Sequence, residues 1–125
     1  MLTGYLLKPK KMVDKRKNLK TPGSVHIPKI YISGRISGLT PEEVRVKFNK
    51  AQTNLYNTCP GMVAVNPLNL HDDLSKPWED LMAKDIAELL RCEMIYMLHD
   101  WHQSRGARIE YAVAREAGIL VVFEQ

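Results

Sequence analysis

Two short segments of the chain carry residue types that can bind an anion and place a carboxylate beside it. The first, Gly34-Arg35-Ile36-Ser37-Gly38, places an arginine and a serine between two glycines. This composition suits a loop whose backbone approaches an anion while the guanidinium clamps it. The second has the spacing Asp-Trp-x-x-Ser-x-Gly-Ala-x-x-Glu, in which Ser104 can cap a helix and present its hydroxyl to a phosphate. Glu110 follows about one turn into that helix, so its carboxylate can face the same ligand.

Each segment also has an ordinary structural explanation. A turn bounded by glycines with an exposed arginine is common, and the first segment matches neither the Walker A nor the GxGxxG phosphate-binding pattern. Glutamates on helix surfaces are common as well. The two segments therefore indicate a site only if the fold brings them together.

Alternating strand and helix patterns position these segments. The runs that favour strands are Lys29–Ser33, Met62–Val65, Glu93–Leu98 and Ile119–Phe123. Helices are predicted from Thr40-Pro41 to about Asn57, from Pro77 through Leu90 with Ser75 as the cap, and from Gly106 to Glu116 with Gly118 as the terminator. This order predicts an α/β fold, a doubly wound flavodoxin-like (Rossmann-like) parallel sheet of four to five strands with helices on both faces.

Ligands of such sheets bind beyond the carboxyl ends of the strands, where the strand order reverses. The residues that follow the first three strands are 33–38, 66–73 and 99–110. Both chemical segments fall in these ranges. The predicted fold therefore brings Arg35, Ser104 and Glu110 to one crevice.

The charge of the chain is concentrated at its N-terminus. The 125 residues are 45% hydrophobic and 26% charged, as expected for one globular domain, and the net charge is +4. Residues 1–28 hold seven Lys/Arg and one Asp, whereas residues 29–125 have a net charge of −2. We therefore expect a basic, flexible extension over 1–28 and the functional domain over 29–125. The extension could contact nucleic acid, but it lacks the interleaved aromatics that would stack on bases, so that partner is not favoured.

Other sequence features argue against membrane, secreted and metal-dependent classes. No apolar run approaches the roughly 20 residues that span a bilayer, and no secretory signal is recognisable, so a cytoplasmic location is expected. Cys59 and Cys92 have no CxxC spacing and are expected to be reduced thiols. His71-Asp72-Asp73 could ligate a metal but is more simply a solvated loop. No metal or cofactor is expected.

Five stretches together resemble a known group of enzymes. They are Lys29–Gly38, Asn66-Pro67, Trp78–Asp85, Cys92 and Trp101–Glu110. This set resembles the nucleoside 2-deoxyribosyltransferase-like superfamily, most of all its short phage and prophage branch of the DUF4406 type, which is related to deoxynucleoside 5′-monophosphate N-hydrolases. The resemblance spans residues 29–123.

The resemblance implies roles for three catalytic residues. Glu110 matches the glutamate that attacks the anomeric carbon and releases the base, leaving a glycosyl ester for water or a second base to resolve. Asp85 matches the aspartate that assists the departing base. Tyr31 matches the tyrosine that orients the nucleophile by hydrogen bonding.

The resemblance and the strand-end positions together imply a substrate-binding set, with a phosphate held by Ser104, Arg35 and Ser37. The full set is Gly34, Arg35, Ser37, Gly38, Asn66, Trp101, Ser104 and Gly106. The transferases usually have an aspartate where Ser104 stands, which favours a phosphorylated ligand. The resemblance also implies a dimer or a larger homo-oligomer, since relatives complete each active site with C-terminal residues of a neighbouring subunit. This chain stops soon after its last predicted strand, so the resemblance does not decide whether a neighbour contributes here.

The function expected is cleavage or transfer at the N-glycosidic bond of a deoxynucleoside 5′-monophosphate or deoxynucleoside. An alternative is a nucleotide-binding module without turnover, such as a phage-encoded sensor or sequestering protein. A third possibility makes the lysine-rich extension the functional part and the domain a scaffold associated with nucleic acid.

Overall fold

A computed structural model describes residues 26–125, in which strands and helices alternate. The strands are β1 (Lys29–Ser33), β2 (Val63–Val65), β3 (Met94–Met97) and β4 (Leu120–Phe123), and the helices are α1 (Pro41–Thr58), α2 (Trp78–Leu89) and α3 (Arg105–Ala117). Two 3₁₀ segments, Pro67–Leu70 and Trp101–Gln103, lie in the loops after β2 and β3. The predicted basic extension lies outside the described residues except for its last three. None of the described helices is long and apolar enough to cross a membrane.

The four strands form one parallel sheet in the order β2-β1-β3-β4. Tyr31 on β1 is in register with Val65 on one side and with Ile95 on the other. The chain therefore runs outward from β1 to β2 and then returns to the opposite side of β1, where β3 lies. This confirms the predicted doubly wound sheet, and it places the reversal of strand order between β1 and β3.

Successive residues of β1 face opposite sides of the sheet. Ile30 and Ile32 belong to a core on the α1 side, together with Phe48 of that helix. Tyr31 belongs to a second core under α2 and α3, which includes Leu89. Because side chains alternate along a strand, Ser33 shares the face of Tyr31 and also points toward α2 and α3.

Local capping signals define the beginnings and ends of α1 and α3. Thr40 and Glu43 form a reciprocal capping box, in which each side chain accepts from the other's backbone N–H. The Ser104 hydroxyl caps α3, and Gly118, with φ of 77°, ends it in the left-handed conformation that glycine tolerates best. These features confirm the predicted boundaries to within one or two residues.

The start of α2 differs from the prediction. The helix begins at Trp78, Pro77 occupies the N-cap position, and no side chain caps the helix there. Ser75 is not the cap, because it lies two residues before the N-cap position; its backbone N–H and its hydroxyl both donate to Oδ1 of Asp73, at 2.9 and 2.6 Å. These two hydrogen bonds close a local turn between Asp73 and Ser75.

Candidate active site

The loops that follow β1 and β3 are held together where the strand order reverses. Gly34, after β1, packs so closely against Leu98, after β3, that an added Cβ would lie 2.7 Å from Cδ1 of the leucine. The Lys47 ammonium donates to the backbone carbonyl of Arg35 and to Oδ2 of Asp100, the latter at 2.6 Å. These contacts tie α1 to both loops at the edge of the crevice.

Glu110 lies inside this crevice on the second turn of α3, with both carboxylate oxygens bonded to β1. The Tyr31 hydroxyl donates to Oε2 at 2.8 Å, and the Ser33 hydroxyl donates to Oε1 at 2.7 Å. Glu110 is 6% exposed. A carboxylate oxygen can accept more than one hydrogen bond, so this arrangement orients Glu110 while leaving acceptor capacity toward the crevice.

The protonation of Glu110 is poised near neutrality. Burial raises its pKa to about 7; the hydrogen bonds from Ser33 and Tyr31 oppose that rise, and the nearby charge of Asp85 adds to it. Burial, followed by the charges of Glu110 and Asp85, raises the pKa of Tyr31 well above its ordinary value. The Tyr31 hydroxyl therefore keeps its proton and remains a donor wherever Glu110 is ionised.

Asp85 enters the same crevice from α2 and is paired with a histidine. Nε2 of His71 lies 2.6 Å from Oδ1 of Asp85, and the two side chains are 6% and 10% exposed. Burial raises the pKa of Asp85, while the hydrogen bond and the charge of His71 oppose that rise. The crevice thus contains two carboxyl groups in different settings, one bonded to hydroxyls and the other to an imidazole.

A cavity of about 510 Å³ opens above these groups. Tyr31, His71, Asp85 and Glu110 line its polar part. Its apolar walls include Ile36, Phe48, Pro67, Leu68, Leu81 and Met82. The volume lies within the range of about 300–1,000 Å³ that is usual for small-molecule sites, and a few convergent polar groups in an apolar cavity are typical of such sites.

The beginning of α3 forms one side of the cavity. Ser104 lines it while its Oγ accepts a 3.1 Å hydrogen bond from the backbone N–H of Ala107. The Arg105 guanidinium lies 4.1 Å from the centre of the Trp78 ring, and Lys76 lines the cavity nearby in the chain. A helix N-terminus, a hydroxyl and two cationic side chains are the features that attract a phosphate group.

Seven of the eleven residues singled out from the sequence line this cavity. They are Tyr31, Gly34, Ser37, Asp85, Ser104, Gly106 and Glu110. Gly106 leaves little space, because a Cβ there would lie 3.2 Å from Sδ of Met82. The other four, Arg35, Gly38, Asn66 and Trp101, lie outside the cavity lining.

Arg35 bridges two loops instead of lining the cavity. Its Nε donates to the backbone carbonyl of Ser37 at 3.1 Å, and its Nη1 donates to Oε1 of Gln103 at 3.4 Å. Gly38 has φ of 84°, and a Cβ there would lie 2.7 Å from Nη2 of Arg35. The two residues thus shape the turn after β1, and Arg35 bonds to protein groups of both loops.

Asn66 is bonded to α1 and to its own loop. Its Nδ2 donates to Oδ1 of Asn49 at 3.3 Å and to Oε1 of Gln52 at 3.2 Å. Its Oδ1 accepts from the backbone N–H of Leu68 at 3.1 Å, which begins the Pro67–Leu70 segment. The structure therefore gives Asn66 a role in positioning that segment, whose first two residues line the cavity.

Trp101 belongs to an aromatic cluster beside the cavity. Its ring centroid lies 4.6 Å from that of Tyr111 and 6.2 Å from that of Phe123. These contacts join the loop after β3 to α3 and β4. The neighbours of Trp101, which is predicted from the sequence as part of the substrate-binding set, are thus aromatic rings of the protein.

The three consecutive polar residues after the Pro67–Leu70 segment have separate partners. His71 bonds to Asp85, Asp72 lies 3.5 Å from the Lys76 ammonium, and Asp73 accepts from Ser75. Over residues 26–125 no group of three or more His, Cys, Asp or Glu side chains is arranged to hold a metal ion.

Two contacts of the candidate site are not predicted from the sequence. The sequence predicts Ser33 only as a strand end, although the alternation of β1 places it on the face of Tyr31 and therefore toward the helix that carries Glu110. The sequence predicts His71 only as a solvated loop residue or a metal ligand. Its contact with Asp85 joins a loop to a helix 14 positions later, and no local pattern indicates it.

Comparisons with known proteins agree with this fold. A solved structure, a 2-desoxiribosyltransferase from Leishmania mexicana, superposes with a TM-score of 0.59 at 17% sequence identity. The match covers 77% of this chain and 63% of that one, so this chain matches less than two thirds of the other protein's length. No curated protein matches the sequence. The family model described as a domain of unknown function, DUF4406, matches residues 28–123, and the chain belongs to that family.

Proposed function

We propose that this protein breaks the N-glycosidic bond of a deoxynucleoside 5′-monophosphate or a deoxynucleoside, with Glu110 as the nucleophile. The observation that carries the proposal is the buried Glu110 carboxylate, held by Tyr31 and Ser33 in a cavity that Asp85 also lines. The similarity of the fold to that of a 2-desoxiribosyltransferase supports it.

In the first step an ionised oxygen of Glu110 bonds to C1′ of the sugar. The C1′–N bond breaks, its electron pair leaves with the base, and the base takes a proton from Asp85. The product is a glycosyl ester of Glu110 and a free base, as in the double-displacement chemistry of retaining glycosidases. Tyr31 and Ser33 hold the attacking group in one orientation, which lowers the entropic part of the barrier.

In the second step water or a second base attacks C1′. The bond between C1′ and Glu110 breaks, and the electron pair returns to the carboxylate. The attacking group releases its proton to Asp85, so both carboxyl groups regain their starting states. Water gives net hydrolysis, and a second base gives net transfer.

The beginning of α3 supports a phosphorylated substrate. Ser104 and Glu110 are six residues apart, which corresponds to about 9 Å along the helix axis. A nucleotide can bridge that span between its 5′-phosphate and C1′. Arg105 and Lys76 line the same cavity as Ser104, so a phosphate there would meet the positive end of the helix in a cavity that also contains two cationic side chains.

Incubation with a panel of deoxynucleosides and their monophosphates, with chromatographic detection of free base, tests the proposal. We expect base release by the wild-type chain and a loss of at least about 10³-fold in Glu110→Gln, because a nucleophile acts mainly in the transition state. Glu116→Gln removes an exposed carboxylate from the same helix and serves as the matched control. Tight nucleotide binding by calorimetry without base release from any member of the panel would contradict catalysis and favour a binding module.

A further inference from the structure

His71 has no role in the steps above, although it makes the closest polar contact of Asp85. The 2.6 Å separation between Nε2 and Oδ1 is that of a strong hydrogen bond between charged or proton-sharing groups. Both side chains are almost completely buried, and both line the cavity. His71 lies in the loop between the Pro67–Leu70 segment and α2, so this contact fixes the loop to the helix that carries Asp85.

Charged and titratable groups face Asp85 from each element around it. His71 approaches from the loop, Glu110 from α3, Tyr31 from β1, and Lys84 is the neighbour on α2 itself. Glu110 must be ionised to attack, and its negative charge then opposes a second negative charge on Asp85. Among these groups, His71 is the one that bonds directly to Asp85.

A carboxyl–imidazole pair holds protons differently from a lone carboxyl group. Side-chain carboxyls ordinarily lose their proton near pH 4 and imidazoles near pH 6.5. A pair that holds one proton is neutral overall whether the proton lies on oxygen or on nitrogen, which suits a buried site. Such a pair retains its proton at a pH where an isolated carboxyl has lost it.

We propose that His71 is a positioning residue that shares one proton with Asp85 across their hydrogen bond, so that the pair can protonate the leaving base at neutral pH. This inference rests on the proposed function. When the C1′–N bond breaks, the base takes the shared proton and leaves an Asp85 carboxylate beside a neutral His71. When water or a second base attacks the glycosyl ester, its proton returns to the pair.

The pH dependence of base release tests this role. His71→Gln keeps an amide that can bond to Asp85 but cannot carry the proton. We expect its activity to fall at least about tenfold relative to wild type at pH 8 and much less at pH 6, so that the alkaline limb of the profile moves to lower pH by about one unit or more. His99→Gln, which changes an exposed histidine bonded to Glu124, serves as the control. A uniform loss across the pH range would show a purely structural role and overturn the proposal.

Two further measurements separate this inference from the proposed function. In His71→Ala the vacated space adjoins the cavity, so added imidazole should restore base release at pH 8 by about tenfold or more, and a failure to restore it would count against proton sharing. In the wild-type chain, NMR signals of the Asp85 carboxyl carbon and the His71 ring nitrogens should respond to the same titration steps. Independent responses would overturn the pairing even if base is released, and absence of base release would overturn the function while leaving the pairing measurable.

Discussion

The Tyr31 hydroxyl donates a 2.8 Å hydrogen bond to Oε2 of Glu110 and so joins the central strand to a helix 79 positions later in the chain. Ser33 bonds to the other carboxylate oxygen from the same face of that strand. Hydrogen bonds to a carboxylate are stronger when it is ionised. Strand β1 therefore controls both the orientation of the proposed nucleophile and the pH at which it becomes active.

Removal of either donor should move the acid limb of base release to higher pH. The hydrogen bonds from Ser33 and Tyr31 lower the pKa of Glu110, so Tyr31→Phe or Ser33→Ala should raise it above about 7. We expect activity to fall more at pH 6 than at pH 8, by about tenfold for each donor. Tyr96→Phe, on the other face of the sheet, is the control. An equal loss at both pH values would contradict this account.

Glu110 should make the folded protein less stable as pH rises. Its folded pKa of about 7 lies above the ordinary value of 4.5, so between these values the unfolded chain loses the proton first. The shift corresponds to a loss of up to about 3 kcal/mol in the free energy of unfolding, complete above pH 7 and absent below pH 4.5. Glu110→Gln removes this term, so its stability relative to wild type should rise between pH 4.5 and pH 8 in urea titrations. Glu116→Gln should show no such trend, and a difference that does not vary with pH would refute the prediction.

A negative charge at the beginning of α3 should remove a preference for phosphorylated ligands. If Ser104 and its neighbours hold a 5′-phosphate, the monophosphate should bind about ten- to a hundredfold more tightly than its nucleoside. Ser104→Asp keeps an oxygen that can cap the helix but repels phosphate, so the ratio should fall to near one while nucleoside affinity changes little. Asn54→Asp adds the same charge on an exposed part of α1 as a control. Equal wild-type affinities for the two ligands would rule out the phosphate site.

The close approach of Gly34 to Leu98 should be visible as a coupling between mutations. Gly34→Ala introduces a methyl group that forces Leu98 to move, and overpacking of this kind costs about 1–3 kcal/mol. Leu98→Ala removes a buried side chain and costs about 2–5 kcal/mol. Because the second change makes space for the first, the double variant should lose at least about 1 kcal/mol less than the two single losses together. Additive losses in denaturant titrations would show that the contact with Leu98 is not the cause of the cost of Gly34→Ala.

Features that depend on neighbours in sequence were predictable. The capping box at Thr40 and Glu43, the cap at Ser104 and the terminator at Gly118 all arise from hydrogen bonds or backbone preferences within a few residues. The strand and helix order followed from local patterns, and the position of the crevice followed from that order. Ser75 was the exception, because the N-cap position of the helix lies two residues beyond it and its N–H and hydroxyl donate to Asp73.

Side-chain directions in the loops were not predictable, because distant residues determine them. Asn66 follows β2 as expected, but Asn49 and Gln52 on α1 draw its amide away from the cavity. Arg35 follows β1 as expected, but its guanidinium bonds to Ser37 of its own loop and to Gln103 of the loop after β3. The strand-end rule locates the loops and does not specify which of their side chains turn inward.

The contact between Arg105 and Trp78 gives the protein an intrinsic optical reporter. The chain has two tryptophans, and Trp101 is enclosed by aromatic rings, whereas Trp78 is 39% exposed with a guanidinium over its face. An anion bound at the beginning of α3 would draw the Arg105 guanidinium away from the Trp78 ring. The electric field at the indole would then change, and the fluorescence of Trp78 with it. In a Trp101→Phe background the emission comes from Trp78 alone. Ligand association can then be followed in real time without a label, even in a variant that cannot turn over.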